Sequence, residues 1–386
     1  MNIHELAKKY EQYMLDLRHH FHMYPELSAQ EEKTSARIQQ ELDEMGISYH
    51  VDGNRNVIAK IDCGLGPKLA IRSDIDALPM DEEIDWEYKS KVKGVMHACG
   101  HDVHTASLLA AAKCLLEVKD QLHGTVYLCF QIAEETSGSG AVEIVKYLKE
   151  IGGVDRVISN HIYANVPCGT AVTCPGPMFA GNCRWKITVT GRGGHGSRPD
   201  MAIDPIRPAA LILNQVCSIP SNYFDPFNPL VISPCMIHSG TAYNIIPDTC
   251  SIEGNLRFFR AGQLDEILAH MEKIAKNTAD SFGATATLEK LSYCLPVEND
   301  PAVTASCEKV IKEIGANFVQ LDTPNMGSDD FSEFTNAFPG CYVTFGAMSD
   351  RPDASTNHHN TKFFLDEKGF LPVVEYFTAY ALEFLK

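Results

Sequence analysis

The feature that most constrains the fold of this 386-residue chain is a series of apolar, strand-like segments that stop at polar residues. KLAIRSDID at 68–76 ends in aspartates, GTVYLCFQIA at 124–133 stops before two glutamates, and VDRVISNHIYA at 154–164 carries a histidine near its end. Between the first two lies TASLLAAAKCLLEV, a helix-forming stretch that is apolar on nearly all sides. This order predicts an α/β fold with a mostly parallel sheet flanked by helices, whose strand ends converge on one crevice.

The character of the sequence changes near residue 182, which indicates a second domain. CRWKITVTGRGGHGSRPD alternates apolar and polar residues before a glycine-rich turn, and further strand-like segments and the helix LDEILAHMEKIAKNTADSF follow. This pattern is typical of a small α+β unit with antiparallel strands, inserted into the larger domain. We therefore predict a catalytic domain at 1–181 and 297–386, and an inserted lid or dimerisation domain at 182–296.

The composition excludes several classes of function. A formal net charge of −17 would repel nucleic acid phosphates and anionic lipid head groups, so we expect neither nucleic acid nor a membrane as a partner. The N-terminal residues lack the apolar run of a signal peptide, and no window of about 18 uncharged apolar residues suits a membrane span. The thirteen cysteines are an odd number without framework spacing, which is typical of a reducing compartment. We predict a cytoplasmic protein.

The stretch MHACGHDVH at 96–104 concentrates side chains that bind metals. Cys99 and His101 stand two residues apart and could turn toward one ion, and a thiolate in the field of a metal is a strong ligand. Other segments supply the remaining candidates for a dinuclear site: Glu134, Glu135, His161, His358 and His359. Because adjacent side chains point in different directions, one glutamate should be a ligand and the other a general base.

These residues also have less specific interpretations. A single histidine such as His161 or His359 is more often an ordinary hydrogen-bonded side chain, and adjacent glutamates often lie on a solvated surface. A structural zinc site would want cysteines at paired spacing, which the sequence does not offer. The residue pattern alone leaves metal binding and these alternatives open.

Eight motifs together resemble the M20 metallopeptidase family, and specifically its amidohydrolase branch of aminoacylases, hippurate hydrolases and plant auxin-conjugate hydrolases. They run in order from about residue 18 to residue 367 and read RHHFHMYPELSAQEEKTS, RSDIDALPM, MHACGHDVHTA, FQIAEETSGSG, GRGGHGSRPD, AYNIIPD, GSDDF and HHNTKFFLDE. Such a set of motifs is specific for the family and does not identify a substrate.

The resemblance implies a role for each matching residue of the candidate site. Glu134 would be the general base, and Asp76 would support the metal centre without binding an ion itself. The implied metal ligands are Cys99, which is placed to bridge two ions, with His101, Glu135, His161 and His359. His358 would be only a neighbour of the last ligand, and His104 would shape the site or be a buried histidine at a helix start.

The resemblance also implies roles for residues of the inserted domain. His195 matches a histidine that in related enzymes reaches across a dimer and polarises the scissile carbonyl, while a solvated histidine in a tight turn is the alternative. Asn244 and Arg257 match positions that bind the free carboxylate of the substrate or line the site, with a structural salt bridge as the alternative for Arg257. The implied assembly is a homodimer formed through the lid domain.

Four residues, in three of the motifs, depart from the family pattern. Asp329 stands where the family has glutamate, Ile132 where it has proline, and Asn360 and Thr361 where it has Ser-Pro. None of these changes removes a ligand, and they bear instead on the shape of the substrate.

The function implied by the resemblance is hydrolysis of the amide bond of N-acyl amino acids or related conjugates, with two divalent metal ions per subunit. A thiolate ligand favours zinc, whereas carboxylate and imidazole ligands also accept manganese, cobalt or nickel. The alternatives are a dipeptidase or carboxypeptidase of the same family and a metal-dependent binding protein without turnover. A pure binder would not need Glu134 as a base, and a thiol redox protein would need a Cys-x-x-Cys pair that the sequence lacks.

Overall fold

The computed structural model describes residues 2–53, 55–136 and 139–386, and the chain divides into two compact units. The first unit comprises the chain up to Met178 together with Val297–Thr323 and Asp330–Lys386. The second unit comprises Phe179–Pro296 and Pro324–Asp329.

The described residues form sixteen β-strands and eleven α-helices. The strands are β1 (Ser48–Val51), β2 (Val57–Asp62), β3 (Lys68–Asp74), β4 (Thr125–Gln131), β5 (Arg156–Tyr163), β6 (Thr170–Thr173), β7 (Gly176–Phe179), β8 (Gly181–Thr190), β9 (Gly194–His195), β10 (Val231–Ser239), β11 (Ile245–Ile246), β12 (Thr249–Phe258), β13 (Thr285–Cys294), β14 (Val297–Asn299), β15 (Asn317–Gln320) and β16 (Gly340–Gly346). The helices are α1 (Ile3–Lys9), α2 (Glu11–Met23), α3 (Glu32–Met45), α4 (His101–Glu117), α5 (Ser139–Glu150), α6 (Ile206–Cys217), α7 (Ile219–Tyr223), α8 (Gln263–Asp280), α9 (Pro301–Glu313), α10 (Ser332–Ala337) and α11 (Leu371–Phe384).

An eight-stranded sheet forms the centre of the first unit, in the order β1-β2-β4-β3-β5-β16-β6-β15. Its four central strands, β4, β3, β5 and β16, run parallel to one another, and β6 and β15 are also parallel. The antiparallel pairs are β1 with β2, β2 with β4, and β16 with β6. The predicted α/β fold with a mostly parallel sheet flanked by helices is confirmed, and β3, β4 and β5 end at the same edge.

The central strands and helix α4 are apolar because they are buried on both sides. Every residue of β4 is buried, as are fourteen of the seventeen residues of α4, which packs against α2 and α11. Such continuous burial explains runs of apolar residues without alternation. Gly100 precedes α4 at φ 99°, and a Cβ there would lie 2.3 Å from Cγ2 of Ile162. Only glycine therefore fits, and its turn brings the start of α4 against β5.

The second unit is built on a four-stranded antiparallel sheet in the order β10-β12-β8-β13. Alternate residues of β8 and β12 are buried, so one face of this sheet forms the core of the unit. Helices α6 and α8 contribute apolar side chains to that core, in which Trp185 is fully buried. The short strands β9 and β11 pair separately and set His195 opposite Ile245.

The segment Pro324–Asp329 belongs to the second unit, although it follows the predicted inserted domain in sequence. Its backbone accepts a hydrogen bond at Asn325 O from Ala180 N (2.9 Å), and Ser328 Oγ accepts another from Asn182 Nδ2 (2.6 Å). Packing with the start of β8, and not the order along the chain, determines where this segment lies. No helix in the described part of the chain has the length and apolar character needed to cross a membrane.

Candidate metal centre

His101, the first residue of α4, is held in one orientation by Asp76 at the end of β3. Nδ1 of His101 donates to the backbone oxygen of Asp76 (2.9 Å) and lies 3.1 Å from its Oδ1. Nε2 then faces two more carboxylates, 3.7 Å from Asp74 Oδ2 and 3.9 Å from Glu135 Oε1. Burial lowers the pKa of His101, but these carboxylates outweigh it and raise the pKa to about 10. The pocket therefore concentrates negative charge that a bound cation would neutralise.

Asp76 also fixes the backbone of the segment that carries the two glutamates. Its Oδ2 accepts hydrogen bonds from Glu135 N (3.0 Å) and from Ser28 Oγ (2.6 Å). Burial raises the pKa of Asp76, yet the hydrogen bond and charge of His101 outweigh it and lower the pKa below its usual value. One ionised carboxylate thus orients both an imidazole ring and a neighbouring main chain.

Glu134 and Glu135 occupy a short 3₁₀ turn, Glu134–Thr136, directly after β4. The residue before it, Ala133, has a φ of 57°, which a residue with a Cβ adopts only at a cost in free energy. Both glutamates are partly buried, and Glu135 Oε1 lies 3.2 Å from His359 Nε2. The two carboxylates stay close, with an oxygen of each within 4.8 Å of the other and of a ring nitrogen of His101.

Cys99 and His161 meet across the edge of the sheet. His161, in β5, donates from Nδ1 to the backbone oxygen of Ile162 (2.8 Å), so its unprotonated Nε2 faces Cys99 Sγ at 3.3 Å. Burial lowers the pKa of His161 well below its usual value, and the nearby histidines His104 and His358 act in the same direction. Burial and the nearby glutamates raise the pKa of the Cys99 thiol. A neutral imidazole of this kind is suited to bind a metal.

His358 and His359 are adjacent and have different surroundings. His358 accepts at Nε2 from Ala164 N (3.3 Å), so Nδ1 carries the hydrogen and lies 3.8 Å from Cys99 Sγ. Burial lowers the pKa of His358 to about 3. His359 is half-exposed, with a left-handed φ of 54°, and its Nε2 faces Glu135. The Nε2 of His359 thus lies beside a carboxylate, whereas His358 uses one ring nitrogen to accept from the main chain and carries a hydrogen on the other.

The donor atoms fit divalent metal ions. Three sets have donor atoms within 4.8 Å of one another: Cys99, His101 and His161; Cys99, Glu135 and His359; and His101, Glu134 and Glu135. Nε2 of His101 is buried and has no hydrogen-bond partner in the described residues, which an ion would supply. A mixed set of thiolate, imidazole and carboxylate suits zinc, manganese, cobalt and nickel.

Asp74 and His104 also gather with His101, but His104 has no ring nitrogen left for an ion. Its Nδ1 donates to Asp74 Oδ1 (2.6 Å), and its Nε2 accepts from Ile162 N (2.9 Å). Asp74 Oδ2 in turn accepts a hydrogen bond from Arg72 Nη1 (2.7 Å). The sequence analysis assigned no role to the buried Asp74, although it is the last residue of β3 and stands two residues before Asp76.

The predicted lid residues lie in the second unit, where the structure brings two of them together. His195 and Asn244 line a cleft of about 960 Å³. Nδ1 of His195 accepts from Ser197 N (3.1 Å), so its Nε2 carries the hydrogen. Arg257 does not line this cleft. It lies eight residues beyond Thr249 along β12, about 26 Å at the usual rise per residue, and it donates to Ser328 Oγ at 3.3 Å.

The fold and this site define the class of the protein. A mostly parallel sheet whose strand ends gather thiol, imidazole and carboxylate donors, with a potential base among them, is the arrangement of a metal-dependent hydrolase.

The chain belongs to peptidase family M20/M25/M40, whose family model matches residues 70–383. It is 36% identical to thermostable carboxypeptidase 1 of Saccharolobus solfataricus over 94% of this chain and 92% of that protein. It is 33% identical to an N-acetylcysteine deacetylase of Bacillus subtilis over 96% of both chains.

Two solved structures are similar to the whole chain. A protein from methicillin resistant Staphylococcus aureus has a TM-score of 0.94 at 32% identity, with 100% of both chains covered. A Bacillus subtilis protein described as a dinuclear metal binding peptidase from the M20 family has a TM-score of 0.85 at 31% identity, covering 98% of this chain and 99% of that one.

Proposed function

We propose that this protein hydrolyses the amide bond of N-acyl amino acids, or of related amino acid conjugates, to a carboxylic acid and a free amino acid. The observation that carries the proposal is the position of Glu134, an acidic residue within the donor cluster and next to the candidate ligand Glu135. The similarity to an N-acetylcysteine deacetylase supports the choice of substrate class. An IAA-amino acid hydrolase of Arabidopsis thaliana, 34% identical over 92% of this chain and 82% of that protein, supports it as well.

The proposed metal ligands are residues whose donor atoms lie within 4.8 Å of one another. His359 is preferred to His358 because His358 uses one ring nitrogen to accept from the main chain and carries a hydrogen on the other. The ligand set for two divalent ions is Cys99, His101, Glu135, His161 and His359, with Cys99 within reach of both groups. Zinc or manganese is the proposed metal, with cobalt and nickel as substitutes. Bound there, the ions would polarise the scissile carbonyl and acidify a water molecule.

The residues of the chain would move the protons and orient the substrate. Glu134 would accept a proton from the attacking water and pass it to the leaving amine. His195 would donate from Nε2 to the carbonyl oxygen as negative charge develops on it. Arg257 would bind the carboxylate of the amino acid product, and Asn244 would contact the substrate from the cleft that it shares with His195. Asp76 would hold His101 and Glu135 in place.

We further propose a homodimer formed through the second unit, with His195 serving the site of the partner subunit. Strand β10 is an edge strand of its sheet and exposes Val231, Met236 and Ile237. An exposed apolar edge strand is a template for pairing with another strand, and a second copy of this chain would cover it.

The thirteen cysteines, all free thiols, support a reducing, cytoplasmic location.

Subunit mixing tests whether His195 acts in the partner subunit. We expect His195→Gln and Glu134→Gln to be nearly inactive as separate homodimers. Their mixture should recover up to about a quarter of native activity, because half of the subunits are then in heterodimers and each heterodimer has one intact site. Activity would be measured after exchange is verified by mass spectrometry. An exchanged heterodimer without recovered activity would show that each subunit is self-sufficient.

A substrate panel tests the reaction class itself. N-acetyl, N-benzoyl and longer N-acyl amino acids would be compared with dipeptides, using metal-stripped protein and protein reloaded with zinc or manganese. We expect metal-dependent release of amino acids from the acylated substrates. Release only from peptides would favour the second candidate, a carboxypeptidase or dipeptidase, which the similarity to thermostable carboxypeptidase 1 supports. No release from folded, metal-loaded protein would favour a binding protein.

A further inference from the structure

The turn that carries Glu134 and Glu135 is held by three side chains that come from separate parts of the first unit. Ile132 N donates to Asn56 Oδ1 (3.0 Å), Ala133 N to Glu31 Oε1 (2.8 Å), and Glu135 N to Asp76 Oδ2 (3.0 Å). Each contact satisfies a backbone N–H that has left the sheet at the end of β4.

The contact of Glu31 falls on the residue whose backbone is strained. Ala133 has a φ of 57° and lies between the end of β4 at Gln131 and the turn that begins at Glu134. Left-handed alanine persists only where its surroundings hold it. The hydrogen bond to Glu31 acts on the same residue, and it therefore favours the conformation that directs the next two side chains.

The surroundings of Glu31 hold its side chain in contact with Ala133 N. It is fully buried, and it directly precedes α3, whose Ser35 N donates to the backbone oxygen of Glu31 (3.1 Å). Burial raises its pKa and the hydrogen bond from Ala133 partly offsets this, so the pKa is about 7. Glu31 forms no ion pair with any residue that the structure describes, and a buried carboxylate without a charged partner is costly. Its contact with the turn therefore calls for a role.

We propose that Glu31 is a positioning residue, whose carboxylate oxygen holds Ala133 in its left-handed conformation and thereby aims Glu134 and Glu135 into the metal centre. This inference rests on the proposed function for the roles of both glutamates, but the role proposed for Glu135, that of a metal ligand, does not depend on the substrate. Glu31 touches neither substrate nor metal and acts through the main chain.

The test compares two substitutions that separate hydrogen-bond reach from charge. Glu31→Gln keeps an acceptor oxygen at the same distance, whereas Glu31→Asp keeps the charge and withdraws the oxygen by one methylene. We expect Glu31→Asp to bind zinc about tenfold more weakly and to lose about 10- to 100-fold in kcat with little change in KM. Glu31→Gln should stay within about threefold of the native protein in both. Zinc affinity would be measured on metal-stripped protein by competition with a chelating dye.

Glu41 supplies the matched control. It is another buried carboxylate, within α3, and it accepts hydrogen bonds from Tyr13 and Arg37. Glu41→Asp and Glu41→Gln should leave zinc affinity unchanged. Equal losses of zinc affinity in Glu31→Asp and Glu41→Asp would show that Glu31 only contributes to packing. Native zinc affinity in Glu31→Asp together with weaker binding in Glu31→Gln would show that the charge of Glu31, and not its reach, is required. If Glu31→Asp does not fold, near-native zinc affinity in Glu31→Gln still supports the acceptor role and its loss overturns it. Zinc affinity needs no substrate, so failure of the substrate panel would not be confused with failure of this inference.

Discussion

Replacing Glu134 by glutamine should lower kcat by about 10³-fold or more while the protein keeps its fold and its metals. The amide has the same shape as the carboxylate but cannot accept a proton from water at neutral pH. Glu135, the neighbouring carboxylate, lies 3.2 Å from His359 Nε2 and is itself proposed as a metal ligand, so it should not replace the missing base. The measurement is kcat on the best substrate of the panel, with metal content determined on the same samples.

The same substitution at a remote glutamate controls for loss of negative charge. Glu117 lies at the end of α4 and contacts Lys9 and Tyr10 at the surface, so Glu117→Gln should retain native kcat. Near-native turnover in Glu134→Gln would remove Glu134 from the role of base. Loss of both metal and turnover would instead identify Glu134 as a metal ligand. The experiment must distinguish this outcome because Glu134 lies close to His101 and Glu135.

Replacing Cys99 by serine should abolish turnover through loss of metal. Cys99 belongs to two of the donor groups, so removing its thiolate should weaken both ion sites. We expect fewer than two ions per subunit after dialysis, and a fall in kcat/KM of about 10³-fold or more. In cobalt-loaded protein, the sulfur-to-metal charge-transfer absorption of the native protein should vanish.

Cys114→Ser is the matched control for this substitution. Cys114 is also buried and belongs to α4, but its Sγ donates to the backbone oxygen of Leu6. Its replacement should leave both metal content and the charge-transfer band unchanged. A band that survives in Cys99→Ser would assign the sulfur ligand to another cysteine, and absence of a band in native protein would mean that no thiolate binds the metal.

The sheet could be predicted from the sequence because periodicity and residue type report directly on burial. The continuous apolar runs of β4 and α4 are what elements covered on both sides require, and the polar residues that follow β3, β4 and β5 lie at one edge. Chemistry-bearing side chains such as Cys99 and His101 are visible for a similar reason, since few residue types bind metals.

Residues that act through the main chain left no such signal. Glu31 and Asn56 accept hydrogen bonds from backbone amides at the turn. The residue types of Ile132 and Ala133 do not indicate that their N–H groups need side-chain partners there. Alanine has no preference for a positive φ, so the conformation of Ala133 follows from its surroundings and not from its own sequence. The placement of Pro324–Asp329 is a further case, because order along the chain does not reveal which core a segment joins.

The first unit is interrupted in sequence, and this has a consequence for synthesis of the protein. Strand β16 pairs with β5 near the middle of the eight-stranded sheet, and His359 follows it, yet both are encoded after the whole of β8–β13. A ribosome-bound chain therefore cannot complete the sheet before β16 is made, or the proposed ligand set before His359 is made. Metal capture should be a late event, and truncation shortly before His359 should release a protein that cannot mature.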